Sequence, residues 1–98
     1  MTSENESGLA FEWDEAKRLS NLAKHGLDFL DADLVLDGPH LLTEARTVNG
    51  EVRYLAIGVI TDRHVAMIFT ERDGAIRVIS LRKARQRERE QHEAAFGT

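Results

Sequence analysis

Apolar residues in the second half of the chain are grouped as in a β-hairpin. Residues 65–69 and 75–81 form two runs rich in β-branched and aromatic side chains, and Asp73-Gly74 lies between them. Such side chains favour strands, and Asp-Gly suits a tight turn whose residues need positive φ. The pattern therefore predicts two paired antiparallel strands at the centre of the domain.

The register of this hairpin decides which side chains share a face of the sheet. One face is predicted to carry Arg72 and Arg77, and the other Arg82, because neighbouring strand residues point to opposite sides. A two-residue turn predicts three opposed pairs: Arg72 with Ala75, Thr70 with Arg77, and Ile68 with Ile79.

Two further strands are predicted before the hairpin. They cover residues 40–47 and 52–60, and Asn49-Gly50 between them is a strong signal for a type I′ turn. Residues 11–13 alternate apolar and polar positions, as in a short edge strand.

Helical spacing of apolar residues predicts two helices after that edge strand. The first covers residues 14–25, with Asp14 as N-cap and Gly26 just past its end. It is identified by the spacing of Ala16, Leu19, Leu22 and Ala23.

The second helix follows at once. It has Asp28 as its candidate N-cap and stops at residues 37–39. Its predicted buried stripe consists of Phe29, Ala32, Val35 and Leu36.

A different composition begins near Arg82. Residues 82–95 contain almost no large apolar side chain but many good helix formers, which predicts a solvated C-terminal helix. The elements together predict one α+β domain over residues 11–98. Its antiparallel sheet has about four to five strands, with a helical hairpin packed on one face. Residues 1–10 are polar and are expected to be a disordered tail.

Composition excludes several classes of protein. The chain has 98 residues and no cysteine, so it has no disulfide and no thiolate metal site. No apolar run approaches the ~20 residues of a membrane span. The N-terminus lacks the basic-then-apolar order of a signal peptide, so a cytoplasmic location is expected.

Charge is divided unevenly along the chain. Residues 1–51 contain eleven acidic and four basic residues, a net charge of −7, whereas residues 52–98 have a net charge of +3. A basic region can bind phosphate even on an acidic protein, because screening makes local charge decisive. An ordinary mixed surface remains the alternative interpretation of this pattern.

Motifs for metals and cofactors are absent from the sequence. The four histidines are far apart and match no ligand spacing, and there is no glycine-rich nucleotide loop. No metal and no cofactor is therefore predicted. Ser80 has no neighbouring base, so a cross-strand hydrogen bond explains it better than a nucleophilic role.

Metal-free RNA cleavage fits the residues that remain. It needs a base for the 2′-hydroxyl, cations for the phosphorane and an acid for the 5′-oxygen. Arg72 and Arg82 are the predicted catalytic cations, and Lys24 and His25 the predicted proton-transfer groups. Arg77, Arg53 and Lys83 are predicted to bind RNA. Surface ion pairs for the arginines, and a helix cap for Lys24-His25, are the structural alternatives.

Two spaced motifs resemble those of a known family, the BrnT toxins. The opening motif is Phe11-x-Trp13-Asp14-x-x-Lys17-x-x-x-Asn21-x-x-Lys24-His25-Gly26, followed by Phe29 and Ala32. The closing motif is Thr70-x-Arg72 and Arg77-Val78-Ile79-Ser80-x-Arg82-Lys83-Ala84, with Arg87-Glu88 beyond. Together they cover nearly the whole predicted domain.

The resemblance implies a bacterial type II toxin with a RelE-like fold, acting as an endoribonuclease that inhibits translation. It also implies a BrnA-like antitoxin with a ribbon-helix-helix domain. Toxin and antitoxin would form a heterotetramer that represses its own operon by binding operator DNA. The alternative hypothesis is a non-catalytic binding module that acts only as antitoxin partner and co-repressor.

The sequence departs from the family pattern at two positions. His92 stands where a tyrosine is usual in the last helix, and Leu81 replaces a small residue, often alanine. The tyrosine's expected contact with substrate therefore has no direct counterpart here.

Overall fold

The computed structural model describes residues 8–97 and the backbone of Thr2–Glu4. Across these residues six strands form one sheet in the order β1-β2-β6-β5-β4-β3. The α+β class and the C-terminal helix are confirmed. The elements in chain order are β1 Thr2–Glu4, β2 Ala10–Glu12, α1 Glu15–His25, a 3₁₀ turn Phe29–Asp31, α2 Asp33–Asp37, β3 Leu41–Val48, β4 Glu51–Ile60, β5 Arg63–Arg72, β6 Ala75–Lys83 and α3 Gln86–Phe96.

The sheet is mixed rather than wholly antiparallel. β2 runs parallel to β6, with Phe11 opposite Ile76 and Glu12 opposite Arg77, whereas the other neighbours are antiparallel. A parallel pair needs a long crossover, and the chain between β2 and β6 supplies it. The prediction of an antiparallel sheet was therefore wrong for this pair.

The N-terminal segment contains a strand. Thr2–Glu4 pairs with β2, and Ala10 already belongs to β2, within the range predicted as a disordered tail. Met1 and residues 5–7 lie outside the described residues, as does Thr98. For those residues the tail stays a prediction.

The predicted caps and turns are confirmed. Asp14 accepts hydrogen bonds from the backbone N–H groups of Ala16 and Lys17, and Gly26 ends α1 in the left-handed conformation. Asn49 and Asp73, each followed by glycine, both have φ of 52°. Positive φ at both central residues is what a type I′ hairpin turn requires.

The second predicted helix is broken into two pieces. Asp28 caps only a 3₁₀ turn, and α2 begins after it at Asp33. The segment packs tightly, because a Cβ on Gly58 of β4 would lie 3.0 Å from the backbone oxygen of Val35. A bulkier residue at Gly58 would force α2 away from the sheet.

The C-terminal helix begins later than predicted. β6 continues through Lys83, and α3 starts at Gln86. Arg82 is therefore a strand residue, so the prediction of a helix over residues 82–95 was wrong at its start. Hydrogen bonding explains this, since Ala84 N still donates to the carbonyl of His64 in β5.

One face of the sheet carries the hydrophobic core. The 3₁₀ turn and α2 cover it with Phe29, Ala32 and Val35, as predicted. Side chains from the strands complete it: Phe11, Ala56, Ile60, Val65, Met67, Phe69, Ile76, Val78 and Leu81.

No described helix is long and apolar enough to cross a bilayer.

Candidate functional site

A β-bulge in the central hairpin places the predicted arginines on one face. Phe69 pairs with Val78, but the next pair is Ile68 with Ser80, so Ile79 is the extra residue. The predicted pair of Ile68 with Ile79 was wrong for this reason, although Arg72–Ala75 and Thr70–Arg77 are confirmed.

The bulge changes which face Arg82 occupies. Arg82 lies opposite Ala66, and Arg72 lies on the same strand as Ala66 at an even spacing of six residues. Even spacing along a strand means the same face, so Arg82 shares a face with Arg72 and Arg77. We call the sheet face that carries Arg53, Arg72, Arg77 and Arg82 the arginine face. It is the face opposite the core.

The arginine face is long compared with a single active site. Along β5, Arg72 lies six residues from Ala66, the partner of Arg82, which corresponds to about 20 Å. Arg77 and Ser80 lie between these ends. Arg72 and Arg82 therefore share a face but cannot contact the same phosphate in this arrangement.

Each of the three hairpin arginines is paired with a glutamate. Arg72 donates two hydrogen bonds to Glu51, at 3.0 and 3.1 Å, and Arg82 donates two to Glu88, at 2.8 and 3.0 Å. Arg77 lies 3.6 Å from Glu12 on the neighbouring parallel strand. The carboxylates fix the guanidinium groups in place and neutralise much of their charge.

The titration of these pairs reflects that contact. The hydrogen bond from Arg82 lowers the pKa of Glu88, and the hydrogen bond from Arg72 lowers the pKa of Glu51. The same bonds raise the pKa of Arg82 and Arg72. Both pairs are therefore fully ionised near neutral pH.

Arg53 is the member of the arginine face with an unsatisfied group. Its Nε is buried and has no hydrogen-bond partner among the described residues. In the sheet it lies opposite Arg46 of β3, where a second bulge interrupts the register. A buried guanidinium N–H without an acceptor favours binding of an additional oxygen ligand.

A cleft lies between α1 and β6, beside the bulge. Its volume is about 200 Å³. Ser80 belongs to both the cleft and the arginine face, and Arg82 is two residues further along the strand. The lining residues are Lys17, Ser20, Asn21, Lys24, His25, Ile79 and Ser80, and none of them is acidic. We call this the α1–β6 cleft.

Asn21 fixes the wall of this cleft. It is 8% exposed, and its amide donates to the carbonyls of Leu27 and Leu81 while its oxygen accepts from Leu81 N. The two bonds to Leu81 satisfy its backbone N–H and carbonyl at the edge of β6, beyond the end of the short strand β2. The sequence motif contained Asn21, but its role became visible only from the pairing of β2.

The predicted site residues thus fall into separate places. Lys24 and His25 lie together in the α1–β6 cleft, near Ser80, whereas Arg72 is at the far end of the arginine face. Lys83 is outside both, in a cavity of about 400 Å³ at the end of the sheet. That cavity is also lined by Asp62, Arg63, His64, Ala84 and Arg89.

His92, at the position of the usual tyrosine, is buried and hydrogen-bonded to the backbone. It is 0% exposed, and its Nε2 lies 2.8 Å from the carbonyl oxygen of Pro39. A carbonyl can only accept, so this nitrogen donates, and Nδ1 on the other side of the ring lies 3.2 Å from His64 Nε2. His92 therefore anchors α3 to the sheet rather than contacting a ligand.

Sequence reasoning missed the glutamate partners and the polar residues of the cleft. Glu12 and Glu51 are distant from their arginines in sequence, and Glu88, six residues from Arg82, lies across the junction of β6 and α3, so no local pattern indicated the pairs. Lys17 and Asn21, by contrast, stood in the opening motif at helical spacing with Lys24. That spacing was the available signal for one shared helix side. Among the described residues, no group of histidine, aspartate and glutamate side chains is arranged to hold a metal ion.

Comparisons with known proteins agree on one family. A family model described as "Ribonuclease toxin, BrnT, of type II toxin-antitoxin system" matches residues 13–88. The fold is similar to the crystal structure of the Brucella abortus ribonuclease toxin BrnT, with a TM-score of 0.65 and 36% sequence identity. That match covers 78% of this chain and 96% of the Brucella chain. Curated protein sequences gave no match. The family match includes both the arginine face and the α1–β6 cleft.

Proposed function

This chain belongs to the BrnT family of ribonuclease toxins of type II toxin–antitoxin systems, and we propose that it cleaves RNA without a metal, at the α1–β6 cleft. This location is supported by the position of Lys24 and His25 beside Ser80. Ser80 in turn lies on the same face of the sheet as the arginines. The comparisons do not favour the alternative of a non-catalytic binding module. An endoribonuclease that inhibits translation is the resulting function.

The proposed chemistry is attack by the 2′-hydroxyl on the adjacent phosphorus. One cleft residue, Lys24 or His25, removes the 2′-hydroxyl proton as the new O–P bond forms. The other gives a proton to the 5′-oxygen as the P–O5′ bond breaks. The products are a 2′,3′-cyclic phosphate and a 5′-hydroxyl, so no oxidant, reductant or cofactor is required.

The scissile phosphate is proposed to lie at Ser80, between Arg77 and Arg82. Both guanidinium groups are on the face that Ser80 occupies, and Arg82 is about 7 Å further along the strand. Cations positioned where the phosphorane develops charge are worth several kcal/mol of barrier, with about a hundredfold in rate for each donor. Arg82 keeps its predicted catalytic role in this arrangement.

Arg72 and Arg53 are proposed to bind the RNA away from the reaction centre. Arg72 was predicted as a catalytic cation beside Arg82, but about 20 Å separates their positions along β5. A single-stranded RNA lying along the arginine face can reach both ends. Lys83 would then contact the RNA only beyond the end of the sheet, from the separate cavity at Arg63 and Arg89.

The type II system implies an antitoxin partner. We propose that it is BrnA-like, with a ribbon-helix-helix domain, that it forms a heterotetramer with this chain, and that it carries the complex to operator DNA. The basic second half of the chain favours an acidic antitoxin segment over the RNA-binding region. Binding that depends on surface charge should weaken as salt is raised.

Purified protein and a short labelled RNA in the presence of EDTA test the reaction. Cleavage with cyclic-phosphate and 5′-hydroxyl ends is expected, together with growth arrest on induced expression in bacteria. A folded protein that leaves RNA intact and allows normal growth would contradict the proposal.

A further inference from the structure

A groove lies between α3 and the strands β3 and β4. Its volume is about 360 Å³. Leu41, Leu55 and Ile57 of the two strands give it an apolar floor, while Glu88 and Gln91 of α3 form one wall. We call it the α3 groove. It is separate from the α1–β6 cleft, and none of its residues has a role in the proposed proton transfers.

The register of the sheet places the α3 groove beside the proposed position of the scissile phosphate. Leu55 lies opposite Ile68, and Ile68 lies opposite Ser80. Residues that are paired across a sheet point to the same face, so Leu55 belongs to the arginine face. Two strand spacings separate Leu55 from Ser80, which corresponds to about 10 Å. A nucleotide with its phosphate at Ser80 can therefore place its base in the groove.

The charges around the α3 groove favour a neutral occupant. Among the described residues that line it, Glu88 is the charged one, and its carboxylate already accepts from Arg82 and from the backbone N–H of Arg85. A phosphate would be repelled there. Cations stand on both sides instead, because Arg82 holds Glu88 and Arg53 lies about 7 Å from Leu55 along β4. An apolar groove between arginines suits a base whose neighbouring phosphates bind those arginines.

Gln91 offers a hydrogen-bonding group for the edge of a base. Its side chain is exposed, and within the described part of the chain it forms no side-chain hydrogen bond. A carboxamide both donates and accepts, which matches the amino group and the adjacent ring nitrogen of adenine. Thr43, which is exposed on β3, adds a hydroxyl group to the same groove.

We propose that the α3 groove is a nucleobase subsite that holds one base of the RNA next to the cleaved bond, with Gln91 selecting adenine. The inference rests on the proposed function for its substrate, because only an RNA bound on the arginine face would present a base there. Apolar contact with Leu41 and Leu55 accepts any base, whereas hydrogen bonds to the base edge discriminate. Gln91 is therefore a specificity residue and not a catalytic one.

Two glutamines on α3 give a matched pair for the test. Gln91 lines the groove, whereas the side chain of Gln86 donates to Glu90 and lies outside it. Both are exposed, and alanine is a good helix former, so either replacement should leave folding intact. RNA with a randomised segment is cleaved, and the ends of the products are sequenced.

Wild type and Gln86→Ala should both cut with adenine preferred at one position beside the cleaved bond. Gln91→Ala should still cleave RNA but lose about tenfold or more of that preference, as expected for a carboxamide that reads a base edge. An unchanged preference in Gln91→Ala, or an equal loss in Gln86→Ala, would overturn the assignment of Gln91.

A titration with adenosine 3′-monophosphate tests the groove without any reaction. In NMR spectra of the wild-type chain, the side-chain amide of Gln91 should shift and that of Gln86 should not. Ribose phosphate, which lacks a base, should leave Gln91 unchanged. A Gln91 shift in a protein that cleaves no RNA would support the subsite and refute the proposed function. RNA cleavage without a Gln91 shift would overturn the subsite and leave the proposed function intact.

Filling the groove tests a protein as the alternative occupant. Thr43 and Thr47 are both exposed on β3, and Thr43 lines the groove whereas Thr47 does not. Tryptophan is favourable in strands, so both positions should accept it. Thr43→Trp should abolish the Gln91 shift and raise KM for RNA about tenfold or more, the usual value of one bound base, and Thr47→Trp should change neither.

Binding of the product of the reading frame beside this gene is measured on the same two tryptophan variants. Loss of that complex in Thr43→Trp, with RNA cleavage and the nucleotide shift unchanged, would make the groove a protein-docking surface and overturn the proposal.

Discussion

The arginine face and the α1–β6 cleft are both cationic, but they use their cations differently. On the arginine face, Arg72, Arg77 and Arg82 each meet a glutamate. In the cleft, Lys24 and His25 line a recess without any carboxylate. Paired cations are held in position and partly neutralised, whereas unpaired cations in a recess are available to a substrate. We therefore expect the cleft residues to transfer the protons, Arg82 to stabilise the phosphorane beside them, and the rest of the face to hold the RNA.

Removing the cleft residues should give the largest effect. In Lys24→Ala and His25→Ala, RNA cleavage is expected to fall about 10²- to 10⁴-fold, the usual contribution of a proton-transfer group. Both side chains are exposed, so thermal stability should be unchanged. Single-turnover cleavage and thermal denaturation measure the two quantities, with the exposed Arg87→Ala as control. Full activity in both variants would move the reaction centre out of the cleft.

Arg82→Ala should cost somewhat less in rate but more in stability. Cleavage is expected to fall about a hundredfold, because a cation beside the scissile phosphate is lost. The variant also leaves the largely buried carboxylate of Glu88 without its partner, which should lower the unfolding free energy by about 1–3 kcal/mol.

The double variant Arg82→Ala/Glu88→Gln separates these two effects. The neutral amide can still accept from Arg85 N, so stability should return while the rate stays low. Recovery of both rate and stability would reduce Arg82 to a structural residue.

Arg72→Ala should have a smaller effect on cleavage, below about tenfold. It lies about 20 Å from Arg82 along the strand, so its loss should weaken RNA binding without slowing the chemical step. Measurement of KM and kcat distinguishes these effects. A fall in kcat as large as that of Arg82→Ala would show that the two arginines serve one site, against the separation argued here.

Acid should lower the stability that the ion pairs of the arginine face provide. Glu88 has a lowered folded pKa, so its stabilising contribution is fully present above its ordinary value of 4.5 and is lost as pH falls through the lower folded value. The unfolding free energy of the wild type should therefore decline below about pH 4.5. Glu88→Gln should show a flatter decline by urea denaturation at pH 6 and pH 3.5. An equally steep decline in the variant would assign the acid sensitivity to other carboxylates.

Local signals in the sequence were sufficient for several elements. Asp14 and Gly26 bounded α1, and Asn49-Gly50 and Asp73-Gly74 produced the expected turns, because caps and tight turns depend on neighbouring residues alone. Because these signals are local, the prediction for α1 was incomplete. The spacing of Leu19 and Leu22 identified the helix, but it did not say which side would meet the sheet.

By itself, then, the sequence determined the α+β class, the turns, the caps and the cations that are available for chemistry. Tertiary structure decided the parallel pairing of β2 with β6, which leaves the β6 edge to Asn21. It also decided the bulge at Ile79, which turns Arg82 onto the face of Arg72. Register and long-range pairing depend on contacts between residues far apart in the chain, so a local pattern does not fix them. For that reason the candidate residues could be named from the sequence, whereas their grouping into a paired face and an unpaired cleft could not.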